Sequence, residues 1–242
     1  MFMIKPSTML LGALLFSFSN LSLALDKVDQ LITGRAYDLN TGELLYTETH
    51  EKPSLKEHIV TYREASGEVF ATKVIQYSYS PLVPDFYQTN KRNGEVIDVK
   101  TEVNDRLIVN YQASESDKVK SKQININNRL IVDAGFDNFV RNYWNNLAKG
   151  DDLKVDFLAP TRQIVAPFKI VKASCKEGED DALCLTMSPD AWWLKLVVDP
   201  IYLAYDFNTQ NLKRYLGRGN ISETNGDYLS VDIHYQYQIS TD

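Results

Sequence analysis

Tyr228-Leu229-Ser230-Val231-Asp232-Ile233-His234-Tyr235-Gln236-Tyr237-Gln238-Ile239 has the plainest period in the chain. Leu229, Val231, Ile233, Tyr235, Tyr237 and Ile239 alternate with Ser230, Asp232, His234, Gln236 and Gln238. Successive side chains of a strand point to opposite faces, so a period of two makes one face oily and the other wet. Such a strand belongs in an antiparallel sheet with one covered and one solvated face. The runs 201 to 207 and 212 to 218 precede it, and the three read as a closing meander.

Toward the N-terminus, residues 34 to 112 hold short runs rich in Val, Ile, Tyr and Thr, separated by Asn-Thr-Gly-Glu, Ser-Gly and Arg-Asn-Gly-Glu turn signals. Candidate strands are 34 to 38, 44 to 51, 58 to 64, 69 to 79, 95 to 102 and 106 to 112. Turns this closely spaced favour an antiparallel meander, because parallel strands need crossovers of about a dozen residues or more. Ser114 to Lys122 is polar enough for either a loop or a strand extension.

The period then changes. Phe136, Phe139, Val140, Tyr143, Trp144 and Leu147 recur at intervals of three and four, which lines them along one stripe of a helix. Asp133 is the expected N-cap and Gly150 the expected stop. Asp137, Asn138, Arg141, Asn142, Asn145 and Lys149 lie opposite, so the aromatic face needs a cover, and a sheet supplies it. Strand patterning returns at 153 to 158, 163 to 174 and 183 to 187. Ser188-Pro189-Asp190 then reads as the start of a second helix carrying Trp192 and Trp193, ended by Asp199-Pro200.

These elements imply a mainly β (α+β) fold: a single curved antiparallel sheet, or half-open β-barrel, wrapped around one or two helices. A sheet this large must curl or close, because open edges invite aggregation.

The first residues read as an export signal. Lys5 is followed by an apolar run from Met9 to Phe18 and by Ser22-Leu23-Ala24, a small-x-small pattern for cleavage near Ala24. That run is shorter than the roughly 20 residues a membrane-spanning helix needs, and no second long apolar run follows. The expected organisation is a signal peptide at 1 to 24 and a single domain at 25 to 242, periplasmic or secreted. Cleavage would remove one of 26 basic residues and none of the 32 acidic ones, moving the net charge from −6 to −7. That balance argues against nucleic acid and anionic membrane surfaces as partners. Cys175 and Cys184 flank a polar turn, which in an oxidising compartment indicates a disulfide that staples a hairpin.

The exported meander, the packed helix, the segment Leu212-Lys213-Arg214-Tyr215-Leu216-Gly217-Arg218-Gly219-Asn220-Ile221 and then Val231-Asp232-Ile233-His234-Tyr235 resemble LolA/LolB-type periplasmic lipoprotein-sorting proteins and uncharacterised envelope proteins of the same half-barrel. The resemblance implies an apolar cavity between sheet and helices that holds acyl chains, and no catalytic residues. No arginine here is matched to the one such carriers use at their lid.

Signatures of chemistry are sparse. His50, His58 and His234 show no metal-ligand spacing, and no metal or cofactor is expected. His234 has Asp232 two residues away on the same face as its expected partner. Glu177, Glu179, Asp180 and Asp181 form an acidic tip that reads as a solvated turn rather than a calcium loop. No nucleophile elbow, phosphate loop or dinucleotide fingerprint occurs, so no enzyme activity is expected. Two functions follow. One is binding of a lipid or other hydrophobic molecule by Phe136, Phe139, Val140, Tyr143, Trp144, Leu147 and Trp192. The other is a structural or protein-interaction module of the cell envelope, in which the same aromatics fill the core. An opening of roughly 300 Å³ or more under the helix separates the first from the second.

Overall fold

The first strand of the described residues pairs with the last. The computed structural model describes residues 30–239, so the export signal read at 1 to 24 lies outside the described residues. The first half is a meander of β1 (Gln30–Asp38), β2 (Leu44–Ser54), β3 (Glu57–Glu64), β4 (Val69–Gln76), β5 (Asp85–Asn90), β6 (Glu95–Glu102), β7 (Arg106–Gln112) and β8 (Lys120–Asn125). After the short β9 (Leu130–Ile131) come α1 (Gly135–Asn142) and α2 (Trp144–Lys149). A second meander follows: β10 (Leu153–Ala159), β11 (Ile164–Lys172), β12 (Ala182–Pro189), β13 (Ile201–Asp206), β14 (Leu212–Arg218) and β15 (Ser230–Ile239).

All fifteen strands join one sheet in the order β8-β7-β6-β5-β4-β3-β2-β1-β15-β14-β13-β12-β11-β10-β9. Every pair is antiparallel except β9 with β10. The central seam is β1 against β15, in register from Gln30↔Ile239 to Asp38↔Val231. The two edges, β8 and β9, are neighbours in the sequence, so the sheet curls until its open sides face one another. Side chains bridge that gap: the Gln163 amide donates to the backbone carbonyls of Val109 at 2.7 Å and Lys120 at 3.0 Å.

Two apolar cores fill the concave side. One joins β1 to β7 and β15 through residues such as Tyr62, Val99, Leu107 and Val109, and takes in Val132 and Ile221 from the connecting segments. The other packs α1 and α2 onto β10 to β13. Burial of such side chains contributes roughly 1.5–3 kcal/mol each. Gly135 allows α1 to start directly beneath the chain at Leu82, where an added Cβ would stand 2.1 Å from the Leu82 carbonyl oxygen.

Several expectations need correction. Asp133 does not cap the helix: its φ is 43° and its carboxylate accepts from the Lys73 ammonium at 2.8 and 3.0 Å. Lys73 is 2 % exposed, and a buried ammonium requires such a partner. Ala134 holds the cap position without a side-chain bond, and the helix is interrupted at Tyr143, whose φ of −108° and ψ of 21° leave the helical range. Gly150 does end it, in the left-handed conformation.

The second helix is absent among the described residues. Ser188 and Pro189 still pair with Lys169 and Phe168, so the backbone there is extended, and only a single 3-10 turn at Leu194–Leu196 follows. β5 and β9 lie where no strand was read, β8 resolves the open reading of 114 to 122 in favour of an edge strand beginning at Lys120, and β4 stops at Gln76.

Cys175 and Cys184 are joined, with Cα atoms 5.2 Å apart. The acidic turn they bracket is not wholly solvated. Glu179 is buried and accepts from the Tyr202 hydroxyl, from the Lys176 N–H at 3.1 Å and from Arg214 at 3.2 Å. Cross-linking so short a loop restricts the unfolded chain by about 2.5 kcal/mol in the chain-entropy model. The double variant Cys175→Ser/Cys184→Ser should therefore lose about that much stability in urea titration and keep its far-UV spectrum.

Candidate functional site

The crossover from β9 through α1 to β10 places apolar side chains along the gap between the sheet edges. A cleft of about 180 Å³ lies there, floored by Leu82, Ile131, Phe139, Tyr143, Leu153 and Val155 and rimmed by Asn128, Arg129 and Lys154. The rim cations are paired: Arg129 with Asp156 at 3.0 Å and Lys154 with Asp190 at 2.8 Å. The volume is below the roughly 300–1,000 Å³ usual for ligand pockets, so no deep chamber opens under the helix here.

Of the residues read as ligand-binding, Phe139 and Tyr143 line the cleft. Tyr143 is 43 % exposed, and its ring lies 4.8 Å from that of Phe139. Phe136, Val140, Trp144 and Leu147 point instead into the second core, where Trp144 meets Tyr205 and Phe207 edge-on. Trp192 is 76 % exposed on the β12–β13 loop and contributes to neither. Strand pairing through Pro189 takes the place of the expected helix, and Trp192 falls on the loop that follows.

A second group was not legible as a unit. His50 of β2 and His58 of β3, read as dispersed, meet inside the curl with His50 Nδ1 2.9 Å from His58 Nε2. His50 Nε2 lies 3.2 Å from Glu48 Oε1, which also accepts from the Tyr235 hydroxyl at 2.6 Å. His50 Nε2–H donates to Glu48, and the one proton shared between His50 Nδ1 and His58 Nε2 sits on either nitrogen according to the tautomer. Register makes the link possible. Gly34 of β1 stands opposite both Glu48 and Tyr235, and a Cβ there would come within 2.8 Å of Glu48 Cγ and 2.9 Å of Tyr235 Cε1. The strands facing each other across Gly34 thus bond over it.

Burial alone would raise the Glu48 carboxyl, but the bond from His50, the His50 charge, the Tyr235 hydroxyl and the Lys73 charge outweigh it and hold the group below its usual range. His58 is driven down to about 2, first by burial and then by the positive charges of His50, Lys52 and Lys73. His234 lies apart on the outer face, 3.2 Å from Asp232 as expected, and Asp232 in turn accepts from Arg214. Among the described residues no group of three or more metal-binding side chains is assembled.

No family model and no curated protein matches this chain. Among solved structures it is similar to a β-barrel-like protein of the domain of unknown function DUF1849 from Brucella abortus. The TM-score is 0.58 at 9 % identity, over 89 % of this chain and 99 % of that one. At such identity the likeness is one of fold, and it agrees with the curved, half-open sheet read from the sequence. It does not point to LolA/LolB-type proteins in particular.

The neutral His58 makes stability depend on pH. The unfolded chain binds a proton at this group near pH 6.5 and the folded chain does not, so the contribution is complete above that pH and is lost as pH falls. The loss is about 1.4 kcal/mol per pH unit. In urea titrations between pH 6.5 and 5.5, His58→Gln should lose roughly 1 kcal/mol less than the parent. Equal losses would show that His58 is not held neutral.

Proposed function

We propose that this is a non-catalytic exported binding protein that takes the apolar part of a small amphiphile in the cleft beside α1. The observation that carries the reading is an apolar-floored cleft in which the exposed Tyr143 lies against the buried Phe139 and Val155 and the partly buried Leu153, in a molecule whose concave side is otherwise packed. A cleft of this size suits part of an acyl chain rather than a whole lipid, and the rim, where Arg129 and Lys154 are already paired with Asp156 and Asp190, suits a polar end. The disulfide fits an oxidising compartment. No helix of the described residues is long and apolar enough to cross a membrane.

Isothermal calorimetry with dodecanoate tests this. The parent should bind, and Tyr143→Asp should weaken binding about tenfold or more, a change of about 1.4 kcal/mol. Because Tyr143 is largely exposed, thermal unfolding should move little. Absence of heat with the parent, or unchanged affinity in the variant, would refute the placement.

The second reading is an envelope interaction module. It is favoured by one feature: Trp192, Trp193, Leu196 and Val197 are all more than half exposed on the β12–β13 loop. Clustered exposed apolar side chains of this kind mark contact surfaces. Under that reading, Trp192→Ser/Trp193→Ser removes the association with another envelope protein and leaves dodecanoate binding intact.

A further inference from the structure

A second opening, unrelated in chemistry to the apolar cleft, lies farther along the same gap. It measures about 320 Å³, within the ordinary range for ligand pockets. Its walls come from four places in the chain: Tyr111 near the end of β7, Lys120 at the start of β8, Thr161 and Arg162 in the β10–β11 turn, and Arg218 and Tyr228 around the β14–β15 connection.

The walls are held from behind by buried polar groups. Glu95 is 2 % exposed, and its carboxylate accepts from the hydroxyls of Tyr228 at 2.6 Å, Ser222 at 2.9 Å and Tyr111 at 3.2 Å. Asn90 and Asn93 donate to Ser222 in turn. The Gln163 bonds to the Val109 and Lys120 carbonyls pin the β10–β11 turn against β7 and β8, which brings Arg162 to the opening. Arg218 lies over the Tyr228 ring at 4.8 Å.

The charge pattern is the unusual part. Lys120, Arg162 and Arg218 all line the opening, and among the described residues none of them takes part in an ion pair with an Asp or Glu within 4.0 Å. The chain as a whole is acidic, with 32 acidic against 26 basic residues. The acidic groups that influence the tyrosines are Glu95, already covered by three hydroxyls, and Asp117, which accepts from Ser114 at 2.7 Å. Three cations lining one opening, none in an ion pair among the described residues, favour a ligand with more than one negative charge. Arginine forks match phosphate oxygens, and the Thr161 hydroxyl adds a neutral donor.

We propose that this opening is a binding site for a phosphate monoester. The proposal does not depend on the apolar cleft. The two are separated by the length of β10, on the order of 20 Å, so either can fail alone.

Calorimetry on the full chain with glycerol 3-phosphate, and co-sedimentation with vesicles of equal parts phosphatidylcholine and phosphatidic acid, test it together. Glycerol 3-phosphate should bind, more weakly as salt rises. Arg162→Gln and Arg218→Gln should each weaken binding about tenfold or more, as expected for loss of a charge-assisted bond. Both side chains are exposed, so the thermal unfolding of either variant should match the parent. Binding of glycerol 3-phosphate alone identifies a free phosphate ester as the ligand. Sedimentation that requires phosphatidic acid and fails in both arginine variants identifies a lipid headgroup. Absence of binding in both assays, or binding that neither variant changes, overturns the proposal.

Discussion

The pairing of β1 with β15 is the constraint on which the other features depend. It places Gly34 between Glu48 and Tyr235, and the missing side chain at Gly34 lets a buried carboxylate reach a tyrosine hydroxyl across the intervening strand. A larger residue would push apart groups that are costly to leave unpaired in the interior. Because the first and last strands of the described residues meet at the centre of the sheet, its free edges are β8 and β9, which follow one another in sequence. The curl is therefore completed by local means: a parallel two-residue strand, a crossover helix and the Gln163 bonds.

That arrangement explains why the openings occur where they do. Elsewhere the concave side is occupied, by Ile221 and Val132 in one half and by α1 and α2 in the other. Along the gap, main-chain pairing stops and side chains decide what lines the surface. At the end near α1 they are apolar, and at the end near the β10–β11 turn they are cationic. β10 runs from one to the other, from Leu153 to just beyond Ala159.

The general fold was legible because the period-two pattern of β15 and the helical stripe from Phe136 to Leu147 each meet an apolar neighbour. β5 was not, and the reason is physical. Gln88 and Asn90 face inward to bond the Asn220 and Ser222 carbonyls, so the strand lacks the alternation that marks a buried face. Asp133 looked like a cap because only the fold brings Lys73, sixty residues away in sequence, to its carboxylate. The Trp192 segment was read as helix from Pro189, yet strand pairing continues through that proline. The histidine pair depended on register: His58 falls on the inner face of β3 beside His50, which no local spacing could reveal. Within the candidate site, Phe139 and Tyr143 were recognisable from periodicity. Arg129, Lys154 and Leu82 belong to other elements and join them only through the crossover.

The concave side is filled, so the proposed hydrophobic ligand meets the protein only at the gap. Backbone amide NMR shifts during titration with dodecanoate test it most directly. Changes confined to the neighbourhood of Tyr143, Arg129 and Lys154 are expected. Changes centred on Val60, Val99 and Val109, deep in the first core, would contradict it and show that the sheet encloses a ligand chamber.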